Sequence, residues 1–288
     1  MIKISTIFAA GLLAVGLALP VAAAEQGAHI EKQHWSFAGL FGKYDQNQLQ
    51  RGFQVFREVC ASCHSARLLS FRNLEQPGGP EFSEAQVKAL AAEYTVVDPE
   101  APEGSRKALP SDAWPGTGQS DADLAAAFGL VPPDLSVIAK ARKVNDAFPN
   151  WVFNYFTTYS EGGVDYMHAL LVGYEEEVPA GTVDSQGQPY VLPDGKFFNE
   201  VFPGHAIGMP PPFSDGQVAY ANADGSDVPA EMLTADQYSK DVSAFLMWVA
   251  EPHLNEHKSA GFRVLTFLLL FAALMWFVKQ RLWRKVEH

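Results

Sequence analysis

Cys60-Ala61-Ser62-Cys63-His64 is the stretch on which the reading of this 288-residue chain turns. Two thiols three positions apart, followed at once by a histidine, form the attachment pattern for c-type haem. In that chemistry the thiols add across the porphyrin vinyl groups as thioethers, and the histidine becomes the proximal iron ligand. Two other uses of such a pair compete. A zinc site needs further ligands at metal-binding spacing, and the chain has no third cysteine. A thioredoxin-like pair opens a helix within a βαβ unit, a pattern not visible here. The expectation is one haem c, held covalently by Cys60 and Cys63, with His64 on the iron.

A helix delivers the chain into Cys60. Asp45 stands as its N-cap with Gln48 as the box partner, and Leu49, Phe53 and Phe56 repeat at helical spacing as a buried stripe. Gly52 on that helix permits close approach of another. Residues 75–115 are rich in proline and glycine, with one short helix capped by Ser83 and Gln86 and faced by Val87, Leu90, Ala91 and Tyr94. The acidic, proline-punctuated stretch 98–103 reads as a surface loop. Residues 121–128 suit a helical turn or two. In Val131-Pro132-Pro133-Asp134-Leu135-Ser136 the prolines hold an extended chain before a helix running through Arg142.

The segment 147–159 is dense in aromatics (Phe148, Trp151, Phe153, Tyr155, Phe156, Tyr159) and reads as core, with a surface used against a partner or the membrane as the alternative. A short helix over 165–174 follows, then a solvated loop from Glu175. The last helix of the head starts at Thr234 with Gln237 as box partner. Tyr238, Val242, Phe245, Leu246 and Val249 form its apolar face, and Glu251-Pro252 stops it. No internal repeat is present. The chain is therefore expected to be mainly α, with long loops and few strands, the tetrapyrrole supplying much of the core.

Both ends point to a membrane. Residues 1–24 have the form of a signal peptide: Lys3, an apolar run over 7–19, then Ala22-Ala23-Ala24. An apolar run over 260–278 is interrupted only by Arg263, which can snorkel, and Trp276 and Trp283 suit the interfacial belt. Lys279, Arg281, Arg284 and Lys285 follow, so the positive-inside rule leaves the C-terminus in the cytoplasm. The expected division is a signal peptide at 1–24, a haem head at 25–258, a transmembrane anchor at 259–279 and a cytoplasmic tail at 280–288. Within the head, once Lys3, Arg263, the four terminal cations and Glu287 are set aside, 15 basic residues face 32 acidic ones. Such a charge excludes nucleic acid as an expected partner and favours basic ones.

The second axial ligand has five candidates. Met232 and Met247 flank or sit within the last helix of the head, and Met167 lies in an amphipathic helix, places where methionine commonly fills core. Met209 sits in Gly204-His205-Ala206-Ile207-Gly208-Met209-Pro210-Pro211-Pro212-Phe213, where glycines and prolines leave little conformational freedom to lose. Met209 is the expected ligand, with His205 as the alternative. His/Met ligation favours the ferrous state and closes both axial positions, which implies an electron carrier and not a haem catalyst.

Several stretches together carry a family resemblance: Cys60 to His64, Pro132-Pro133-Asp134-Leu135-Ser136, Ala139-Lys140-Ala141-Arg142, Asp165-Tyr166, Phe197-Phe198-Asn199, Phe202-Pro203-Gly204, the Met209 loop and Phe245-Leu246-Met247-Trp248-Val249-Ala250-Glu251-Pro252. The sequence resembles the cytochrome c1 family, the haem subunits of quinol–cytochrome c oxidoreductases (bc1 complexes). The resemblance implies a cytochrome c-like haem-binding head plus one C-terminal transmembrane helix. It implies Cys60 and Cys63 as thioether attachments, His64 and Met209 as axial ligands, and Arg142 on a haem propionate. Pro133, Tyr166, Leu171, Phe202 and Ile207 match positions that wall the haem. It further implies cytochrome b, a Rieske iron–sulfur protein and a soluble or membrane-bound cytochrome c as partners, in a dimeric complex of a bacterial inner membrane with the head in the periplasm. The competing function is a stand-alone anchored cytochrome feeding a terminal oxidase or reductase.

Overall fold

Gly52 is where the two main helices of the head meet. A computed structural model describes residues 30–142, 144, 149, 152, 154, 159–221 and 226–284. The expected signal peptide and most of the aromatic 148–159 segment lie outside the described residues. Helix α1 (Gln46–Glu58) buries Leu49, Gly52, Phe53, Val55 and Phe56. A Cβ at Gly52 would stand 2.1 Å from the Asp241 carbonyl oxygen and 2.6 Å from Phe245 Cβ on the long helix Ala235–Ala250. Only glycine allows that separation, as its place on the stripe predicts.

Between these helices the chain builds its core. Helix α2 (Glu84–Glu93) starts in the predicted capping box of Ser83 and Gln86 and buries Val87, Leu90 and Ala91. It runs into a hairpin of β1 (Thr95–Val97) and β2 (Ser105–Lys107), whose connection is the acidic loop. Trp114 is the hub of an aromatic cluster, its ring centroid 4.9–5.8 Å from those of Phe53, Phe56, Phe71 and Tyr94. Edge and tilted ring contacts of this kind add to the area they bury.

Helices α3 (Asp121–Phe128) and α4 (Ile138–Ala141) flank the proline segment, and α5 (Gly162–Val172) packs against α4. The start of α5 differs from the expected 165. Gly162-Gly163 looks like a helix breaker, yet a Cβ at Gly163 would lie 1.8 Å from the Ala139 carbonyl oxygen. The glycine pair is a packing requirement inside the helix. A two-residue pairing of β3 (Phe197–Phe198) with β4 (Ala206–Ile207) closes the 199–205 loop two residues before Met209.

Helix α6 (Ala235–Ala250) buries Tyr238, Val242, Phe245 and Leu246 as its pattern predicts, while Val249 is half-buried. After the break at Pro252, α7 runs as one 30-residue helix, Leu254–Trp283, with a mean hydropathy of 2.1 in its most apolar window. At 1.5 Å per residue it is about 45 Å long, more than the roughly 30 Å hydrocarbon layer requires. Its first turns are docked: Leu254 is buried and the Asn255 side chain accepts from the Tyr44 N–H (3.2 Å). The anchor therefore leaves the head as a continuous, braced helix.

Candidate functional site

The motif residues occupy a tight turn at the end of α1. Cys60–Ser62 is a single 3-10 turn, and the Cys63 and His64 amides both donate to the Cys60 carbonyl, at 3.1 and 2.9 Å. Both thiols are free and half-buried. Burial pushes the Cys60 thiol up to about 12, helped by Cys63 beside it, so it is protonated at neutral pH. Among the described residues no group of three or more His, Cys, Asp or Glu side chains is placed to hold a metal ion. The zinc reading gains no support.

The turn is clamped to the proline segment. His64 Nδ1 lies 2.9 Å from the Pro133 carbonyl oxygen. A carbonyl only accepts, so Nδ1 carries the proton and Nε2 keeps its lone pair for a metal, the arrangement by which a second partner fixes a ligand histidine. Burial lowers the His64 pKa, against the opposing pull of Pro133 and Asp134, and so favours the neutral, ligating form. Asp134 completes the clamp by accepting from Ser65 Oγ (2.7 Å), the Arg67 amide (2.9 Å) and the Ser136 amide (2.9 Å). The Leu68 amide donates to Ser136 Oγ (3.0 Å) and the Leu135 amide to the Ser65 carbonyl (2.8 Å). Ser65 carries no local sequence signal for this role, because its partner Asp134 lies 69 residues away.

Met209 follows Gly208, and that glycine places its loop. A Cβ at Gly208 would stand 3.5 Å from a Leu130 methyl carbon and 3.3 Å from Lys196 Nζ. The residue before Met209 thus lies against the chain entering Pro132-Pro133, the segment whose Pro133 carbonyl holds His64. The Tyr174 hydroxyl donates to the Met209 carbonyl (3.1 Å) and ties the loop to the end of α5. Burial raises the Tyr174 pKa, which keeps it a donor. His205, the alternative ligand, is fixed in orientation through Nδ1, as His64 is. Its backbone is left-handed (φ 59°), its Nδ1 donates to the Asn199 carbonyl (3.2 Å) and its ring stacks on Phe198 at 5.3 Å. Met167 and Met247 are buried among apolar core side chains, and Met232 is half-buried against that core.

The remaining expected residues divide by exposure. Arg142 ends α4, is exposed, and lines a cleft with Val144, Tyr159, Gly162 and Gly163. Tyr166 is half-buried with a raised pKa, caused by burial and opposed by the Arg142 charge nearby. Pro133 is exposed except through the carbonyl that His64 uses, Leu171 and Phe202 are half-buried, and Ile207 is buried. Leu130 and Val131 leave apolar surface exposed on the segment that leads into Pro132-Pro133. Two adjacent thiols, an imidazole with Nε2 available and a thioether loop on one segment fit a covalently held haem.

Comparison with known proteins points the same way. A model of the Cytochrome C1 family matches residues 35–286. "Cytochrome c1" of Rhodospirillum rubrum is 38% identical over 301 residues, covering 99% of this chain and all of that protein. "Cytochrome c1" of Blastochloris viridis is 46% identical over 261 residues, 88% of this chain and 86% of that protein. "Cytochrome b/c1" of Bradyrhizobium diazoefficiens is 47% identical over 279 residues, 96% of this chain but only 38% of that longer protein. A haem-attachment turn clamped to a Pro-Pro-Asp-Leu-Ser segment, a methionine loop on that segment, one long apolar C-terminal helix and a family match over nearly the whole described chain agree: this protein belongs to the cytochrome c1 family, whose members carry covalently attached haem c.

Proposed function

We propose that this chain is the membrane-anchored electron relay of a quinol–cytochrome c oxidoreductase, taking single electrons from a Rieske iron–sulfur protein and passing them to a soluble or tethered c-type cytochrome. The bound haem supplies the one-electron iron couple. The chain's own residues do the rest. Cys60 and Cys63 would hold the macrocycle covalently, and His64 Nε2, oriented by the Pro133 carbonyl, and the Met209 thioether would ligate the iron. Arg142 is the cation available to a propionate. Two protein ligands to the iron would leave oxygen no open site, so the group would serve as a one-electron couple.

The observation that carries this reading is the His64–Pro133–Asp134 clamp, which holds the imidazole in one tautomer and one orientation. Cytochrome b as a partner follows from relatives named as b/c1 and as a subunit of the cytochrome b-c1 complex. The orientation, with the head in the periplasm and the tail in the cytoplasm, rests on the cations after Val278. The test is quinol-driven haem reduction in protein purified gently from membranes through a C-terminal tag. Rapid reduction, with cytochrome b and a Rieske protein in the same fraction, is the expected result. A protein that purifies alone and is reduced by ascorbate but not by quinol is a stand-alone carrier instead.

A further inference from the structure

The head has an apolar tip that its own core does not use. Residues 35–43 form a tight turn, closed by the Ala38 amide on the Trp35 carbonyl (3.1 Å) and the Lys43 amide on the Ser36 carbonyl (3.0 Å). Gly39 takes φ +68°, and a Cβ at Gly42 would lie 2.1 Å from the Ala38 carbonyl oxygen, so the two glycines make the bend possible. Its base is buried: Trp35 and Phe37 are 3% and 1% exposed. Its tip is not: Leu40 is 61% and Phe41 72% exposed. A well-fixed turn that aims two large apolar side chains outward has been given a surface to meet.

The position of the tip identifies that surface. The Phe41 ring lies against Phe262 of α7, centroids 5.6 Å apart, edge to face. Lys258 Nζ, one turn earlier on α7, is hydrogen-bonded to the Phe37 carbonyl, so base and tip are both registered on the anchor. The apolar run of α7 ends at Val278, before Lys279. About 20 residues cross the hydrocarbon layer, which puts its outer boundary near residue 259. Phe262, and with it Phe41, therefore sits at the level where acyl chains give way to headgroups. Lys43 and Arg263 flank this level with exposed cations suited to lipid phosphates.

We propose that the 38–42 turn is a second membrane contact, with Leu40 and Phe41 seated in the outer-leaflet interface of the phospholipid bilayer beside α7. Two contacts fix the tilt of the head, which one helix alone would leave free to rotate. The proposal rests on α7 being the membrane span, and the experiment separates the two. In the full-length, haem-loaded protein in its native membrane, Phe41 is replaced by p-benzoylphenylalanine and irradiated. Phe267 and Leu269, about 200° apart around α7, are replaced in parallel so that at least one faces lipid. The expected result is a mass gain of one phospholipid on the tryptic peptide 33–43, as on the peptide of a span position. Cross-linking of position 41 to a polypeptide overturns the proposal in favour of a protein partner. An absence of any adduct at 41, with lipid adducts in the span, overturns it in favour of a solvated tip. Lipid adducts at none of the three positions overturn the span as well.

Discussion

Removing the Asp134 carboxylate, in Asp134→Ala, strands the Arg67 and Ser136 amide hydrogens and the Ser65 hydroxyl together. Water replaces part of these bonds at this half-buried clamp, so the expected loss is about 2 kcal/mol, read as a lower thermal midpoint. The pH dependence has a definite sign. Burial pushes the Asp134 carboxyl up, but hydrogen bonds from Ser136, the Arg67 amide and Ser65 outweigh it and hold the group below the usual range. A depressed folded pKa stabilises the head above the unfolded value of about 4, and that contribution is lost as pH falls through the folded one. Acid should therefore weaken the wild type more than Asp134→Ala, whose clamp is already open; identical acid profiles would detach Asp134 from the clamp. Across the same segment, Met209→Leu conserves volume while deleting the sulfur donor. Because thioether ligation favours ferrous iron, the midpoint potential should fall by an amount on the order of 100 mV, a fraction of the range axial ligands control. A redox titration with unchanged spectrum and potential would pass the ligand role to another side chain. Of these residues, the Cys60–His64 attachment motif is legible from the sequence because its spacing is local. The clamp is not, because Ser65 and Asp134 meet only once the chain has folded back over 69 residues.

Gly52→Ala is the sharpest test at the level of elements. Alanine is the better helix former by about 1 kcal/mol, so an exposed site would gain stability. Here the new methyl would sit 2.1 Å from the Asp241 carbonyl, and α1 and α6 would have to separate. Overpacking of that kind costs about 3 kcal/mol, and a denaturant titration of the detergent-solubilised protein should show net destabilisation. The same interface explains where local signals mislead. Asp45, Ser83 and Thr234 cap their helices as their sequences predict, each accepting from the backbone amide three residues on. Gln48 and Gln237 match the box pattern but donate to Asp241 instead, at 3.3 and 2.9 Å. Asp241 is fully buried and also accepts two bonds from Arg51 (2.8 and 3.1 Å) and one from Tyr220 (3.0 Å). A buried carboxylate is a stronger acceptor than anything a cap offers, so it recruits Gln48 across the helix pair and Gln237 from one turn earlier on its own helix. Amphipathic stripes and caps are thus readable from sequence, whereas the destination of a long polar side chain depends on the charge it finds after packing.

For the molecule as a whole, charge and core lead to separate predictions. The acidic excess of the head should steer a basic electron acceptor, so the second-order rate of electron transfer should fall as ionic strength rises; a rate indifferent to salt would remove steering from the account. Core placement bears on how far haem organises the fold, where the sequence leads one to expect the tetrapyrrole to supply much of the core. The aromatic cluster around Trp114, with α1, α2 and α6, buries itself with protein groups alone. By contrast Phe128, Leu130, Val131 and Val137, on the segments around the proline motif, are exposed. The haem should accordingly stabilise one side of the head far more than the other. In a Cys60→Ala, Cys63→Ala double variant the covalent attachment is lost, and a ligand that binds only the native state withdraws its contribution, on the order of 4 kcal/mol for a tight site. Amide exchange should then rise over 121–142 and 196–213 while α1 and α6 keep much of their protection, with only a partial fall in helix signal. Uniform loss of protection, α1 and α6 included, would mean that the helix pair cannot hold without the cofactor, and that haem attachment precedes the packing of Gly52 against Asp241.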